Sequence, residues 1–245
     1  MERLPDTEEA VTDRDVRFDY RGDGTAEEVL RWALEKFHPN IAVACSFQHA
    51  VLIDMAVKIR PDVRVFSIDT GRLPEDTYEC ARDIECRFGV KIEWYFPRHK
   101  AVEEMMHRNG PLSFRESLDA RRECCAIRKV EPLNRALSGL DAWITGVRRE
   151  QNVTRATVAK IEIDDAHGGI VKLNPLSDWS YDRIRSYVRE HRLPYNTLFE
   201  KGYTSIGCAC CTRAVKPGED SRAGRWWWEH PEYKECGLHA RNWQI

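Results

Sequence analysis

Hydrophobic and polar positions along the first 145 residues predict a regular alternation of helices and strands. A capping box at residues 25–28 precedes an amphipathic stretch that runs to Phe37, a pattern that is typical of a helix. Residues 40–45 form a short, nearly continuous apolar run, as expected for a parallel strand buried on both faces. The alternation then predicts a helix over residues 50–59, a strand over 63–68, a helix after Pro74, and strands over 91–96 and 142–145.

This succession of elements predicts an α/β fold in which a parallel sheet is covered by helices, because short βα connections place consecutive strands in one parallel sheet. From Lys201 onward the periodicity ends, and the sequence becomes rich in Gly, Cys, Arg and Trp. We therefore divide the chain into an acidic N-terminal arm at residues 1–24, an α/β domain at 25–200 and an irregular cysteine-rich segment at 201–245. We expect that last segment to pack on the same domain.

Charge is distributed unevenly along the chain. The 245 residues include 38 basic and 40 acidic side chains, and this net charge of −2 points to no particular partner. Residues 1–30, however, carry 4 basic and 10 acidic side chains, whereas residues 121–160 carry 9 basic and 4 acidic ones. A basic middle fits a small anionic ligand, although an ordinary solvated surface explains the charge equally well.

The sequence has no apolar run near the ~18 residues that a membrane helix needs, and its acidic start is unlike a signal peptide. We therefore expect a cytoplasmic protein with no membrane partner. In that compartment, the nine cysteines are better explained by metal binding or catalysis than by disulfides.

Two predicted strands end in polar loops that suit a nucleotide, because ligands of open parallel sheets bind at the carboxyl ends of strands. The first strand runs into a turn with Ser46, whose hydroxyl and backbone suit a phosphate, although helix capping is the more common role of such a turn. This turn has no glycine and is neither a Walker loop nor a GxGxxG fingerprint. The second strand ends in Asp69, Thr70 and Gly71, which suit either a ribose or base, or the cap of the following helix.

Three arginines, Arg148, Arg149 and Arg155, follow the strand at residues 142–145. Planar guanidinium groups match the oxygens of phosphate and sulfate. Together with the two loops described above, they give three strand ends of compatible chemistry at one edge of the sheet. This arrangement favours an anionic nucleotide as the ligand.

Four cysteines form two groups, Cys124-Cys125 and Cys208-x-x-Cys211. Four thiolates hold either a tetrahedral zinc ion or an iron–sulfur cluster. Neighbouring side chains on a helix point about 100° apart, which suits a cluster with separate iron corners better than a single ion. A redox dithiol at Cys208 and Cys211 and a set of inert buried thiols are the alternatives. Cys210 is either a substitute ligand or a buried thiol.

Several motifs, taken together, resemble assimilatory adenylylsulfate reductases of the sulfonucleotide reductase family. They are GVRREQ at residues 146–151, the vicinal cysteines, the CxxC followed by TRAV, RAGRWWWE at 222–229 and ECGLH at 235–239. The resemblance covers nearly the whole chain from the first strand onward. It implies an adenine nucleotide alpha hydrolase-like fold and reduction of adenosine 5′-phosphosulfate (APS) to sulfite and AMP, with thioredoxin or a glutaredoxin-like protein as reductant.

The resemblance also implies roles for individual residues. Cys236 of ECGLH is the expected nucleophile, which would carry sulfite as a thiosulfonate on a mobile tail. His239 either orients that thiol or is a surface histidine. A [4Fe–4S] cluster is expected on Cys124, Cys125, Cys208 and Cys211. Lys129 is expected between the cluster and the substrate, and the expected substrate-binding residues are Ser46, Asp69, Thr70, Gly71, Arg148, Arg155, Arg222 and Arg225.

The sequence departs from the family pattern at the loop of Ser46, which lacks the family's small and acidic residues, and at Cys210, which replaces a non-cysteine residue. The nearest alternative is a reductase of the 3′-phosphorylated substrate or of both nucleotides. The two cysteine pairs favour APS, because reductases of the 3′-phosphorylated substrate generally lack them. More distant alternatives are a zinc-containing ATP-dependent tRNA-modifying enzyme and a non-catalytic iron–sulfur regulator. We expect no nucleic-acid partner, and a homo-oligomer is compatible with the sequence.

Overall fold

The computed structural model describes residues 24–230 together with Tyr233, Lys234 and Leu238. Apart from Gly24, the acidic N-terminal arm expected at residues 1–24 lies outside the described residues. The described helices are α1 (Ala26–Phe37), α2 (Val51–Ile59), α3 (Glu75–Phe88), α4 (His99–Asn109), α5 (Leu118–Cys125), α6 (Glu131–Leu137) and α7 (Tyr181–Glu190). The described strands are β1 (Ile41–Ala44), β2 (Arg64–Ile68), β3 (Ile92–Tyr95), β4 (Ala142–Ile144), β5 (Ile161–Asp164) and β6 (Ile170–Leu173).

The strands form one sheet in the order β3-β2-β1-β4-β6-β5. β1 pairs in parallel with β2 on one side and with β4 on the other, so the order of the chain reverses at β1. The α/β fold class is confirmed, and the four predicted strands and three predicted helices are all present. The sequence pattern did not predict β5 or β6. β5 is antiparallel to β6, because the short connection between them permits a hairpin but not a parallel crossover.

Helices cover both faces of the sheet, and the alternation of side chains along each strand supplies both cores. Ile41 and Val43 of β1 belong to a large apolar cluster that includes buried side chains of α1, α2 and α7. Ala42, between them, belongs to the cluster on the opposite face, with Trp143 of β4 and the buried side chains of α6. Because β1 contributes to both cores, the loop that follows it starts from a rigid position.

The described part of the C-terminal segment packs on the helices that follow β3. A third apolar cluster joins Met105, Phe114 and Cys124 to Cys208, Cys211 and Trp226. Gly224 brings two parts of this segment together, because a Cβ at that position would lie 2.2 Å from the carbonyl oxygen of Arg213. The backbone of Arg213 therefore excludes a side chain at position 224. None of the described helices is both long and apolar enough to cross a membrane.

Replacing Thr25 tests how much the capping box stabilises the first helix. The Thr25 amide donates to Glu28 Oε2 at 2.7 Å, and the Glu28 amide donates to Thr25 Oγ1 at 3.2 Å. Thr25→Ala leaves an amide at the helix N-terminus without its partner, so we expect a loss of about 1 kcal/mol in the free energy of unfolding, measured in urea. Thr25→Ser keeps the hydroxyl and should remain close to wild type. An equal loss in both variants would assign the effect to the methyl group instead.

Candidate active site

A cavity of about 420 Å³ opens at the carboxyl ends of β1, β2 and β4. It lies where the strand order reverses, and there the connections leave β1 and its neighbours in opposite directions and open a crevice. Its volume is within the range of sites that enclose a small ligand. The strand ends contribute Ala44, Cys45, Ser46, Ser67, Ile68, Thr70, Thr145 and Gly146 to the wall.

The loop after β1 makes its turn without glycine. Phe47 adopts a left-handed backbone with φ of 50°, which is unusual for an aromatic residue. The turn is held by its buried ring, whose centroid lies 5.3 Å from that of Trp94, and by its amide, which donates to Cys45 Sγ at 3.3 Å. Burial of the Phe47 side chain leaves Ser46 exposed on the cavity wall. Tertiary packing thus holds a left-handed turn at a position where glycine is the usual residue.

The residues after β2 divide into a supporting pair and a lining residue. The Asp69 carboxylate is buried, accepting from the Gly71 amide at 2.7 Å and from the Tyr78 hydroxyl at 2.8 Å. Gly71 has φ of 70°, so the turn suits a residue without a Cβ. Thr70 lines the cavity, and its hydroxyl lies 3.3 Å from Cys208 Sγ. Of the three predicted residues, only Thr70 is on the wall.

Two of the arginines after β4 line the opposite side of the cavity. Arg148 donates from Nη1 to the carbonyl oxygen of Trp179 at 3.2 Å, and burial lowers the pKa of its guanidinium. Arg155 donates from Nη1 to Gln151 Oε1 at 2.7 Å. These contacts fix both side chains while leaving them on the wall, where guanidinium groups suit an anionic ligand.

His49 also lines the cavity, although sequence reasoning did not single it out. Its Nδ1 atom is buried and has no hydrogen-bond partner among the described residues. Burial lowers the pKa of His49 to about 4, and the positive charge of Arg148 acts in the same direction. The imidazole is therefore neutral at physiological pH and adds polarity to the cavity without adding charge.

Residues of the C-terminal segment complete the cationic wall. Arg225 is buried and donates from Nη1 to Ser205 Oγ and to the carbonyl oxygen of Ile206, both at 3.3 Å. Its guanidinium lies directly on Gly207, where a Cβ would come within 2.4 Å of Nη2. Arg222, also on the wall, donates to the carbonyl oxygen of Lys234 at 2.8 Å.

A second, smaller cavity adjoins the first and is lined by cysteines. Its wall contains Cys124, Cys125, Cys208, Cys210 and Cys211 together with Phe114, Arg72, Arg121, Arg128 and Lys129. Lys129 and Cys208 line both cavities, so the two cavities share part of their walls. Lys129 belongs to the π-helical turn Ala126–Val130 between α5 and α6, a local widening that often occurs at functional sites.

The cysteine cavity has the donors of a metal centre but not the arrangement that suits one ion. Among residues 24–230, 233, 234 and 238, no three Cys, His, Asp or Glu side chains form a group that could hold a single metal ion. Burial raises the pKa of Cys124 to about 11. The contact between the Cys210 and Cys211 sulfurs, at 3.8 Å, lowers the pKa of Cys210 and raises that of Cys211. The raised values of Cys124 and Cys211 mean that a metal centre there would displace thiol protons on binding.

The structure brings together most of the residues that the sequence singled out. The main cavity is lined by Ser46, Thr70, Lys129, Arg148, Arg155, Arg222 and Arg225. The cysteine cavity is lined by the four expected ligands Cys124, Cys125, Cys208 and Cys211. Asp69 and Gly71 support the turn and are not on the wall. Cys236 and His239 lie outside the described residues, and Trp226–Trp228 are not on the cavity wall, in keeping with a packing role.

Sequence reasoning missed three buried or half-buried cations beside the cysteines. Arg128 donates from Nη1 to the carbonyl oxygen of Thr70 at 2.8 Å and so connects the cysteine cavity to the end of β2. Arg72 lies with Nη1 3.8 Å from Cys210 Sγ, and Arg121 lines the same cavity. The excess of basic residues at 121–160 was the only signal for Arg121 and Arg128, and it did not distinguish them from solvated side chains. Arg72 lies outside that range.

Comparisons with known proteins agree with this geometry. Residues 38–214 match the family model described as phosphoadenosine phosphosulfate reductase domain. The chain is 49% identical over 200 residues to adenosine 5′-phosphosulfate reductase of Allochromatium vinosum, covering 82% of this chain and 78% of that protein. It is 43% identical over 226 residues to the enzyme of the same name from Pseudomonas aeruginosa (strain LESB58), covering 90% and 84%.

Comparison with solved structures identifies proteins of similar fold. The phosphate complex of phosphoadenylyl-sulfate (PAPS) reductase from Candida auris matches with a TM-score of 0.66 and 31% identity, covering 79% of this chain and 91% of that one. FMN adenylyltransferase from Candida glabrata matches with a TM-score of 0.53 at 13% identity, covering 91% and 82%, a likeness of fold alone. These neighbours confirm the predicted nucleotide alpha hydrolase-like architecture.

Gly207→Ala tests whether close packing on this glycine places the Arg225 guanidinium. The added Cβ would displace the end of a flexible side chain, so we expect the protein to fold and to bind AMP about ten-fold more weakly by calorimetry. Arg225→Gln should cause a similar loss. Both changes act on the guanidinium of Arg225, so the double variant should bind AMP no more weakly than whichever single variant has the lower affinity. If the losses of AMP affinity in the two single variants added up in the double variant, Gly207 and Arg225 would act independently and the prediction would be contradicted.

The neutral state of His49 can be tested by following its imidazole resonances as pH falls. We expect no titration between pH 8 and about 5.5, because burial keeps the pKa near 4. In the unfolded chain His49 takes up a proton below a pKa of about 6.5. The contribution of neutral His49 to the free energy of unfolding is therefore fully present above pH 6.5 and is lost as pH falls toward 4. Arg148→Met should raise the pKa. A His49 titration near pH 6.5 in the wild-type protein would contradict the assignment.

Proposed function

The chain belongs to the phosphoadenosine phosphosulfate reductase domain family, and from this premise we propose that it reduces APS to sulfite and AMP. The reaction serves assimilatory sulfate reduction and cysteine biosynthesis in the cytoplasm. Relatives that are 43–50% identical to this chain over the aligned residues are named for APS, which is why we propose this nucleotide as the substrate.

The observation that carries the proposal is the ring of cations around one cavity at the strand ends. The members of this ring are Lys129, Arg148, Arg155, Arg222 and Arg225. A phosphosulfate brings negative charge on both of its groups, and the leaving phosphate gains more as its bond to sulfur breaks. Fixed cations in a partly enclosed cavity stabilise such charge better than water does, because they need no reorganisation when it develops.

We propose Cys236 as the nucleophile. Support comes from its neighbours in the sequence: Leu238 lies on the wall of the cavity, and the carbonyl of Lys234 is held by Arg222 on the same wall. The cationic surroundings would favour the thiolate form of a cysteine in this position. His239 is proposed to orient the thiol.

The first step is attack of the Cys236 thiolate on the sulfur atom of the sulfate group. A sulfur–sulfur bond forms while the bond from that sulfur to the bridging oxygen breaks, and AMP leaves with the electron pair. Lys129, Arg222 and Arg225 neutralise the charge that collects on the phosphate. The product is a thiosulfonate on Cys236 that retains the oxygen atoms of sulfite.

The second step needs an external dithiol, for which we propose thioredoxin or a glutaredoxin-like protein. A thiolate of the reductant attacks the Cys236 sulfur, and sulfite leaves with the electrons of the sulfur–sulfur bond. The second thiol of the reductant then resolves the mixed disulfide. The dithiol is thereby oxidised by two electrons, and the sulfur of the substrate is reduced from sulfate to sulfite.

We propose that the cysteine cavity holds a [4Fe–4S] cluster on Cys124, Cys125, Cys208 and Cys211. Four cations on the same wall, with Lys129 among them, suit a group of negative charge. Cys124 and Cys125 are neighbours at the end of α5, where successive side chains point about 100° apart, and this suits a cluster with separate iron atoms better than one tetrahedral ion. When bound, the cluster would supply fixed charge beside Lys129 rather than a path for electrons, since the dithiol provides both electrons.

Anaerobic purification followed by iron, sulfide and sulfite assays tests the proposal. With thioredoxin present, we expect wild type to release sulfite from APS and Cys236→Ser to release none above background while keeping its iron. Cys124→Ser should lose most of its iron, because a cluster ligand is removed. Cys86→Ser is the matched control, since Cys86 is exposed on α3 and touches neither cavity, and it should retain both iron and activity.

Two outcomes would overturn the proposal: a colourless zinc protein would remove the cluster, and undiminished turnover by Cys236→Ser would remove the nucleophile. The second candidate substrate is the 3′-phosphorylated nucleotide PAPS, which the likeness to the Candida auris reductase supports. Faster sulfite release from that nucleotide than from APS would favour the second candidate.

A further inference from the structure

Trp226 lies among three cations between the two cavities. Its ring is fully buried, with its centroid 4.6 Å from Cζ of Arg225, 4.7 Å from Cζ of Arg121 and 5.7 Å from Nζ of Lys129. A cation within about 6 Å of an indole face is attracted by the negative charge of that face. Lys129 and Arg225 line the main cavity, whereas the ring itself lines neither cavity.

The backbone holds this ring in place under strain. Trp226 has φ of 38°, in the left-handed region that side chains other than glycine rarely adopt. Its amide donates to the carbonyl oxygen of Cys211 at 3.0 Å, and its indole Nε1 has no hydrogen-bond partner among the described residues. A strained, fully buried residue with an unmet donor persists only where its surroundings fix it, and such residues occur most often at functional sites.

Arg121 is one of the three cations around the ring, and a buried carboxylate neutralises it. Arg121 donates from Nε to Glu229 Oε1 at 2.7 Å, and both side chains are buried. Lys129 and Arg225 share the wall of the main cavity, where their like charges repel each other. The indole face is attracted to both and so opposes that repulsion, because its position is set by the backbone rather than by either cation.

We propose that Trp226 is a positioning residue that holds the Lys129 ammonium and the Arg225 guanidinium in place before the phosphosulfate binds. This inference rests on the proposed function, since it takes that group to be the ligand of both cations. Preorganised cations increase affinity by removing the cost of ordering them. The effect should therefore fall on the charged part of the nucleotide and spare the adenosine part.

The test compares three ligands with Trp226→Phe and Trp226→Leu in the Cys236→Ser background, which prevents turnover. We expect Trp226→Leu to bind APS about ten-fold more weakly, because the attraction of two desolvated cations to the ring is lost. AMP should lose an intermediate factor, and adenosine affinity should stay within about two-fold of the parent protein. Trp226→Phe keeps a ring face and should recover most of the APS affinity.

Trp227→Leu is the matched control, because Trp227 is half exposed and its ring faces Arg115 rather than the cavity cations. It should leave affinity for all three ligands unchanged. Iron content and unfolding midpoints identify a variant that fails to fold. If Trp226→Leu fails to fold, the test uses Trp226→Phe and compares its ratio of APS affinity to adenosine affinity with that of the parent protein. Unchanged APS affinity in both variants, or an equal loss for adenosine, would overturn the inference. Failure of the proposed function is distinct, because the wild-type protein would then release no sulfite.

Discussion

The site depends on holding several positive charges close together without a ligand present. Lys129, Arg148, Arg155, Arg222 and Arg225 line one cavity, and Arg121 and Arg128 lie beside them. Like charges in a partly buried region repel strongly, because the surrounding medium screens them less than water does. Among the described residues, the fold meets this constraint with carbonyl oxygens, aromatic faces and carboxylates, namely the buried Glu229 beside Arg121 and the more exposed Glu150 beside Arg148. Each of these contacts also fixes the direction of a cation.

Glycine, aromatic and carboxylate contacts have different roles in meeting that constraint. Gly207 admits the guanidinium of Arg225 so closely that a Cβ at this position would displace it. Trp226 attracts the cations around it without contributing charge of its own. Glu229 neutralises Arg121 in a buried pair, and removing one partner of such a pair typically costs about 3–5 kcal/mol because the other charge is left uncompensated.

The position of the cavity follows from the topology of the sheet. The order of the strands reverses at β1, and the loops after β1, β2 and β4 open away from one another there. The cysteine cavity is built differently, from the end of α5, the π-helical turn and the loop at Cys208. Lys129 belongs to both walls because that turn directly follows the vicinal cysteines. The cavity at the strand ends, proposed to bind the nucleotide, thus shares Lys129 and Cys208 with the cysteine cavity.

The sequence by itself determined the α/β class, the first four strands, the capping box at Thr25 and the grouping of thiols and arginines. These features depend on local periodicity or on residue chemistry, which a linear pattern records. The hairpin of β5 and β6 and the supporting rather than lining positions of Asp69 and Gly71 were decided by the tertiary structure. So were the burial of Arg121 and Arg128 and the place of Trp226. In each case the outcome depends on which distant segments of the chain approach one another. The residue type alone does not tell whether an arginine or lysine is buried or solvated.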